Sequence, residues 1–111
     1  MKTFELTGAA LDWAVAKCEG FPARDYCPHD KYYRDSENKW FCPSEDWEQA
    51  GPIIERERIS VWARGNEWAA ESFIPNQQGH EQIGPTPLVA AMRCYVASKL
   101  GDEVEVPEEL K

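Results

Sequence analysis

The sequence predicts an α+β fold: a small antiparallel sheet of about three strands with two helices packed on one face. Three observations carry that expectation. Residues Gly84 to Gly101, GPTPLVAAMRCYVASKLG, specify a helix with both of its ends marked. Ile59-Ser60-Val61-Trp62-Ala63 alternates as a strand, Arg64-Gly65-Asn66 turns the chain, and Glu67 to Phe73 returns. A helical pattern near the start, roughly Gly8 to Cys18, supplies the other helix.

In that first helix Leu11, Val15 and Cys18 share a face with Ala14 beside them, and Asp12 and Lys17 point to the other side. Thr7 is placed to cap it, and Gly20 followed by Phe21-Pro22 ends it. Trp13 borders the stripe, where it either flanks the core or lines a surface groove. Residues 22 to 45 are irregular: Pro22, Pro28, Pro43 and a turn at Ser36-Glu37-Asn38 mark a long loop, with a short hairpin expected between Tyr32-Tyr33 and Trp40-Phe41. Its aromatics (Tyr26, Tyr32, Tyr33, Trp40, Phe41) are too many for a disordered linker, so the loop packs over the core or over a ligand.

Ser44 is expected to cap a single turn, Glu45-Asp46-Trp47-Glu48, that ends near Ala50-Gly51. Pro52-Ile53-Ile54-Glu55 then reads as extended, because β-branched residues beside a proline disfavour helix. In the hairpin Ile59, Val61 and Ala63 share a face, and Trp62 meets Trp68 or Ala70 according to register. Pro75 to Gly84 is polar and contains glycine, which reads as a mobile loop.

The last helix follows. Thr86 caps it and Pro87 sits at its first position, where the missing N–H costs nothing. Leu88, Ala91, Met92, Tyr95, Val96 and Leu100 form one stripe, with Val89, Arg93 and Ser98 off it. Lys99 suits the helix dipole, and Gly101 is a left-handed stop. Residues 1–101 are thus expected to be a single α+β domain. Residues 102–111, with five acids and one lysine, read as an acidic tail that frays.

The totals narrow the classes. A chain of 111 residues supports one modest core. A net charge of −8 argues against binding duplex nucleic acid, which needs clustered Lys and Arg, and leaves a basic protein partner open. There is no apolar run long enough for a membrane span, and Glu5 and Asp12 interrupt any signal-peptide core, so cytoplasmic residence is the expectation. Of the four cysteines none forms a CxxC pair, and Cys18 and Cys94 read as small buried thiols.

Certain strings carry a resemblance. LTGAALDWAVAKCEG, SEDWEQAGPIIERERIS and GPTPLVAAMRCYVASKLGDEVEVPEEL look like the NinX-type family of small tailed-phage proteins. DW, then GPIIE, a Trp-bearing hairpin and a proline-started helix ending MRCYVASKLGDE make a specific combination. Phe21 to Cys42 and Asn76 to Ile83 match no pattern. The resemblance implies a phage or prophage origin and action in the cytoplasm of an infected bacterium. It implies no activity.

For chemistry, Cys27, His29 and Cys42, with His80 as a fourth, are the only candidate metal ligands, but they lack the paired spacing of zinc sites. No metal and no cofactor is expected. A thiol nucleophile needs a histidine beside it, and neither His29 nor His80 lies in such a context. Pro85 and Pro87 remove two donors that a phosphate cradle would use. A non-catalytic protein is therefore expected. Five tryptophans exceed what a small core hides. Trp13, Trp47 and Trp62, with Asp46, Glu55 and Arg93, are the candidate ligand-binding residues: indoles for stacking, carboxylates for hydroxyl or N–H groups, and an arginine for phosphate or carboxylate. The first functional expectation is a counter-defence sponge that sequesters a nucleotide-like signalling molecule. The alternative is a module that binds a host protein through the acidic tail and the aromatic loop, and a small enzyme comes third. A homodimer is the simplest cover for exposed indoles.

Overall fold

The helix over Pro87–Leu100 (α3) is the centre of the structure, and its stripe is wider than the spacing predicts. Leu88 to Met92 and Cys94 to Ala97 are all buried, Val89 among them. Two layers explain this: a sheet covers one side of α3 and the other two helices cover the rest. The N-terminal end matches expectation, and at the C-terminal end Gly101 takes a positive φ but, at ψ −160°, not the left-handed helical conformation expected. Thr86 accepts from Val89 N at 3.1 Å, Pro87 starts the helix, and Gly101 follows at φ 84°.

In the computed structural model, which describes residues 1–73 and 80–111, the chain forms three α-helices and two antiparallel sheets. The helix α1 spans Gly8–Glu19 and ends on left-handed Gly20. The side chain of Thr7 makes no capping bond, contrary to the pattern. A small sheet pairs β1 (Tyr26–Cys27) with β2 (Tyr32–Tyr33). The larger sheet has the order β3-β4-β5, with β3 at Ile59–Arg64, β4 at Glu67–Ser72 and β5 at Gln82–Gly84. The strand β5 lies in the stretch expected to be loop; most of the remainder of that loop, residues 75–79, is outside the described residues. Among the described residues no helix is long and apolar enough to cross a membrane.

The clearest departure is α2, Trp47–Arg56, where one turn followed by an extended segment was expected. Asp46, not Ser44, caps it, accepting from Glu48 N at 2.9 Å. Proline inside a helix loses one N–H bond, and its ring crowds the residue before it. Here that residue is Gly51, which has no Cβ to crowd. Burial of Ala50 and Ile53 in the core then favours the helix over propensity.

The expected hairpin inside the aromatic loop forms only in part. Tyr32-Tyr33 pairs with Tyr26-Cys27, and toward Trp40-Phe41 there is a single bridge, Arg34 to Trp40, flanked by Phe41 N donating to Tyr33 O and Asp35 N donating to Lys39 O. Phe21, Tyr26, Tyr33 and Phe41 stack beside α1 with ring centroids 4.5 to 5.7 Å apart. The loop thus covers the face of α1 that α3 leaves open. That is why Asp12, expected to face solvent, is 1% exposed.

Trp62 meets neither expected partner. The turn is two residues, Gly65-Asn66, so Arg64 opposes Glu67 and Trp62 opposes Ala69. Trp68 lies on the other face of the sheet. The segment expected to fray is docked: Val104 and Val106 are buried, Val104 N donates to Met1 O at 2.8 Å, and Lys2 bridges to Glu103. Charged clasps join the helices, with Arg56 reaching Glu19 at 2.6 Å and Glu57 at 2.9 Å, and Lys99 reaching Glu57 at 3.1 Å.

Gly84 marks the closest approach of sheet and helix. A Cβ there would lie 2.7 Å from Ala90 N and 2.9 Å from Val89 Cγ1. Gly84→Ala is therefore expected to destabilise by about 2 kcal/mol through overpacking against backbone. A lower denaturant midpoint at unchanged m-value checks this.

Candidate functional site

Alternation in the aromatic loop decides what reaches the surface. Tyr33 and Phe41 point into the core, so their neighbours Tyr32 and Trp40 point outward, with centroids 6.4 Å apart. Together with Asp30, Cys42 and Glu45 they line an open cavity of ≈ 330 Å³. A smaller depression of ≈ 150 Å³ is lined by Asp35, Glu37, Lys39, Asp46, Glu48 and Gln49. Trp47, at the first position of α2, is 59% exposed. One continuous stretch of sequence, residues 30 to 49, thus presents aromatic faces edged by carboxylates.

Two polar clasps hold this surface in place, and the sequence reading missed both. Asp12 on α1 accepts from Ser44 N at 2.8 Å and from Ser44 Oγ at 3.0 Å. Gln49 on α2 accepts from Cys42 N at 2.7 Å and donates to Trp40 O at 2.9 Å. A polar residue on a helix gives no sequence signal of whether it faces water or a loop packed over it. Asp35 shapes the turn beyond, accepting from Glu37 N and Lys39 N at 2.9 Å each, and Asn38 takes the left-handed conformation it tolerates.

The electrostatics are negative on balance, with six carboxylates in residues 30 to 49 against Lys31, Arg34 and Lys39. Burial pushes the Asp12 carboxyl up to about 7; the Ser44 bonds oppose the shift and Glu45 adds to it. Burial, followed by Asp12, Asp46, Glu45 and Asp35, raises the Cys42 thiol, and burial with Asp12 and Glu45 raises the Tyr32 hydroxyl. A thiol pushed upward is a poor nucleophile at neutral pH. Among the described residues no group of three or more His, Cys, Asp or Glu side chains is placed to hold a metal ion, so Cys27, His29 and Cys42 do not converge.

The six candidate residues are not brought into one pocket. Asp46 and Trp47 belong to the surface just described, with Asp46 committed to capping α2. Trp13 packs on the core and also lines a separate groove of ≈ 270 Å³ with Lys17, Leu100 and the docked tail. Glu55 is exposed in the last turn of α2. Trp62 is 37% exposed on β3, and the neighbouring Arg64 pairs with Glu81. Arg93 donates to Leu6 O and Ile83 O, both at 2.8 Å. It lines depressions of ≈ 230 and ≈ 410 Å³ that also contain Glu67.

The chain matches the family model described as Bacteriophage P22, NinX over residues 2–99. That match runs through the two segments, 21–42 and 76–83, where the motif resemblance stops, and leaves out the docked tail. No curated protein matches the chain. With most of its length covered, this chain belongs to the phage NinX family.

Proposed function

We propose that this phage protein is a non-catalytic accessory factor that acts in the infected cell by binding a basic segment of a host protein. The surface of residues 30 to 49 is the binding face. One observation carries the reading. The guanidinium of Arg34 already stacks on Trp40, 3.8 Å from the ring centroid, at the rim of the cavity that Asp30 and Glu45 line. With one face of Trp40 taken by Arg34, an incoming arginine or lysine meets the aromatic surface of Tyr32 and Trp40 that lines the cavity, carboxylates for its N–H groups, and a net charge of −8 to steer its approach. The raised Cys42 thiol supports the non-catalytic part of the reading.

The nucleotide-sponge version has less support. Phosphates need an unengaged cation, and Arg93, the one proposed for that task, donates to two backbone carbonyls beside Glu67 and Glu81.

An oligoarginine peptide is the probe. Isothermal titration is expected to show binding that weakens steeply with salt. The exposed double variant Asp30→Asn/Glu45→Gln is expected to lose about tenfold in affinity, the equivalent of roughly 1.4 kcal/mol, with an unchanged melting temperature. Equal binding by wild type and variant would remove this surface from consideration. Thermal stabilisation by cyclic or ADP-ribose-derived nucleotides, without peptide binding, replaces the reading with the sponge.

A further inference from the structure

The sheet β3-β4-β5 has two edges, and the chain treats them differently. Phe73 N donates to Arg58 O at 3.2 Å. With the hairpin register, this places the backbone groups of Ser60, Trp62 and Arg64 in the ladder with β4 and turns those of Ile59, Val61 and Ala63 toward the open edge. The same alternation turns the Ile83 carbonyl outward from β5, where Arg93 donates to it at 2.8 Å. The outward carbonyl of the β5 edge is thus taken by a side chain of the chain itself.

The β3 edge has no such cover. Among the described residues, nothing outside the ladder bonds the N–H or C=O of Val61 or Ala63. Ile59 is buried, so Val61 and Ala63 are the reachable part. Between Ile59 and Ala63 there is no proline, lysine or other charge, the usual protections of a free edge.

We propose that β3 pairs with β3 of a second copy, antiparallel about a two-fold axis through Trp62, so that two three-stranded sheets become one of six strands. The register follows from parity. Opposed residues must lie on the same face, and hydrogen-bonded pairs must be those whose groups point outward. Centring on Trp62 opposes Val61 to Ala63 in both directions, which gives four backbone bonds from the reachable residues alone. Centring on Val61 would instead require buried Ile59 opposite Ala63.

Side chains agree with the Trp62 centre. Trp62 faces its own mate as a close cross-strand aromatic pair. Ser60 opposes Arg64, so no like charges meet. On the face away from α3, the apolar row Trp62–Ala69–Ile83 set by the register continues into the second copy. This inference is independent of the peptide-binding surface, which involves other elements.

The test is sedimentation of the full chain from micromolar to submillimolar concentration. A reversible dimer is expected. Ala63→Pro, which removes an edge N–H and no ladder bond, and Trp62→Glu, which sets two carboxylates face to face, are each expected to weaken dimerisation by about tenfold or more. Trp62→Cys is expected to cross-link two chains on mild oxidation, because a non-hydrogen-bonded antiparallel pair brings Cα atoms within disulfide range. The wild type, with its own four cysteines, is the control. A monomer over the whole range overturns the proposal. So does a dimer that Trp62→Glu leaves intact and Trp62→Cys does not cross-link.

Discussion

Removing residues 102–111 is expected to lower the melting temperature by about 15 °C, the equivalent of roughly 4 kcal/mol for a domain of this size. The acids of the segment suggest a solvated tail, but its contribution is apolar. Val104 and Val106 are each 5% exposed, and burying one valine is worth about 1.5–3 kcal/mol. Thr3 N donates to Asp102 O at 2.9 Å, and the N-terminal amine of Met1 to Val104 O at 2.8 Å, so truncation also leaves the N-terminal turn with less to hold. Neutralising the exposed Glu105 and Glu108 instead is expected to leave the melting temperature within a degree or two, since isolated surface charges contribute ~0–1 kcal/mol. A truncated protein that melts like the wild type would contradict the docking described above. Binding experiments on a truncated protein need this control, because a lost interaction there reports unfolding as readily as a lost contact.

Asp12→Ala is expected to destabilise by about 3 kcal/mol at pH 5, through the buried donors of Ser44 left without an acceptor. The pH dependence distinguishes this from an ordinary core defect. Burial raises the folded-state Asp12 carboxyl from 3.8 to about 7, so the folded protein holds a proton that the unfolded chain releases. Stability from this group is complete below the ordinary carboxylate range and is lost as pH rises through about 7. The wild type should therefore lose stability relative to Asp12→Asn between those limits, while the variant, with nothing to titrate at this position, lacks that slope. Parallel melting curves of the two proteins across the window would contradict the assignment. Because Asp12 anchors Ser44, loosening it should also weaken oligoarginine binding.

The sequence showed most plainly what local chemistry alone dictates. The ends of α3, with Thr86, Pro87 and Gly101, follow from capping and the fixed φ of proline and need no knowledge of the rest of the chain. The strand pattern of β3 and β4 is equally local, but its register depended on reading the turn as two residues rather than three, and that single step decides whether Trp62 meets Ala69 or another partner. The helix α2 was misread because Gly51-Pro52 is unfavourable locally, and only burial of Ala50 and Ile53 offsets it. In the candidate site, Asp46 and Trp47 were visible as a carboxylate beside an indole, although the capping role was expected of Ser44 and falls to Asp46. Asp12 and Gln49 were not, since their partners, Ser44 and the Trp40–Cys42 backbone, are distant in the sequence. Trp13, Glu55, Trp62 and Arg93 were grouped by residue type, and each sits on a different element.

The central position of α3 sets the order in which the molecule can be made. Leu11 and Val15 of α1, Ile53 of α2 and Ile59 of β3 all pack in the core that residues 88 to 97 complete, and those residues leave the ribosome after all of them. Until then the nascent chain has apolar faces with nothing to cover them, which makes it a client for chaperones and a target for proteases. Completion of this core thus waits for the synthesis of α3.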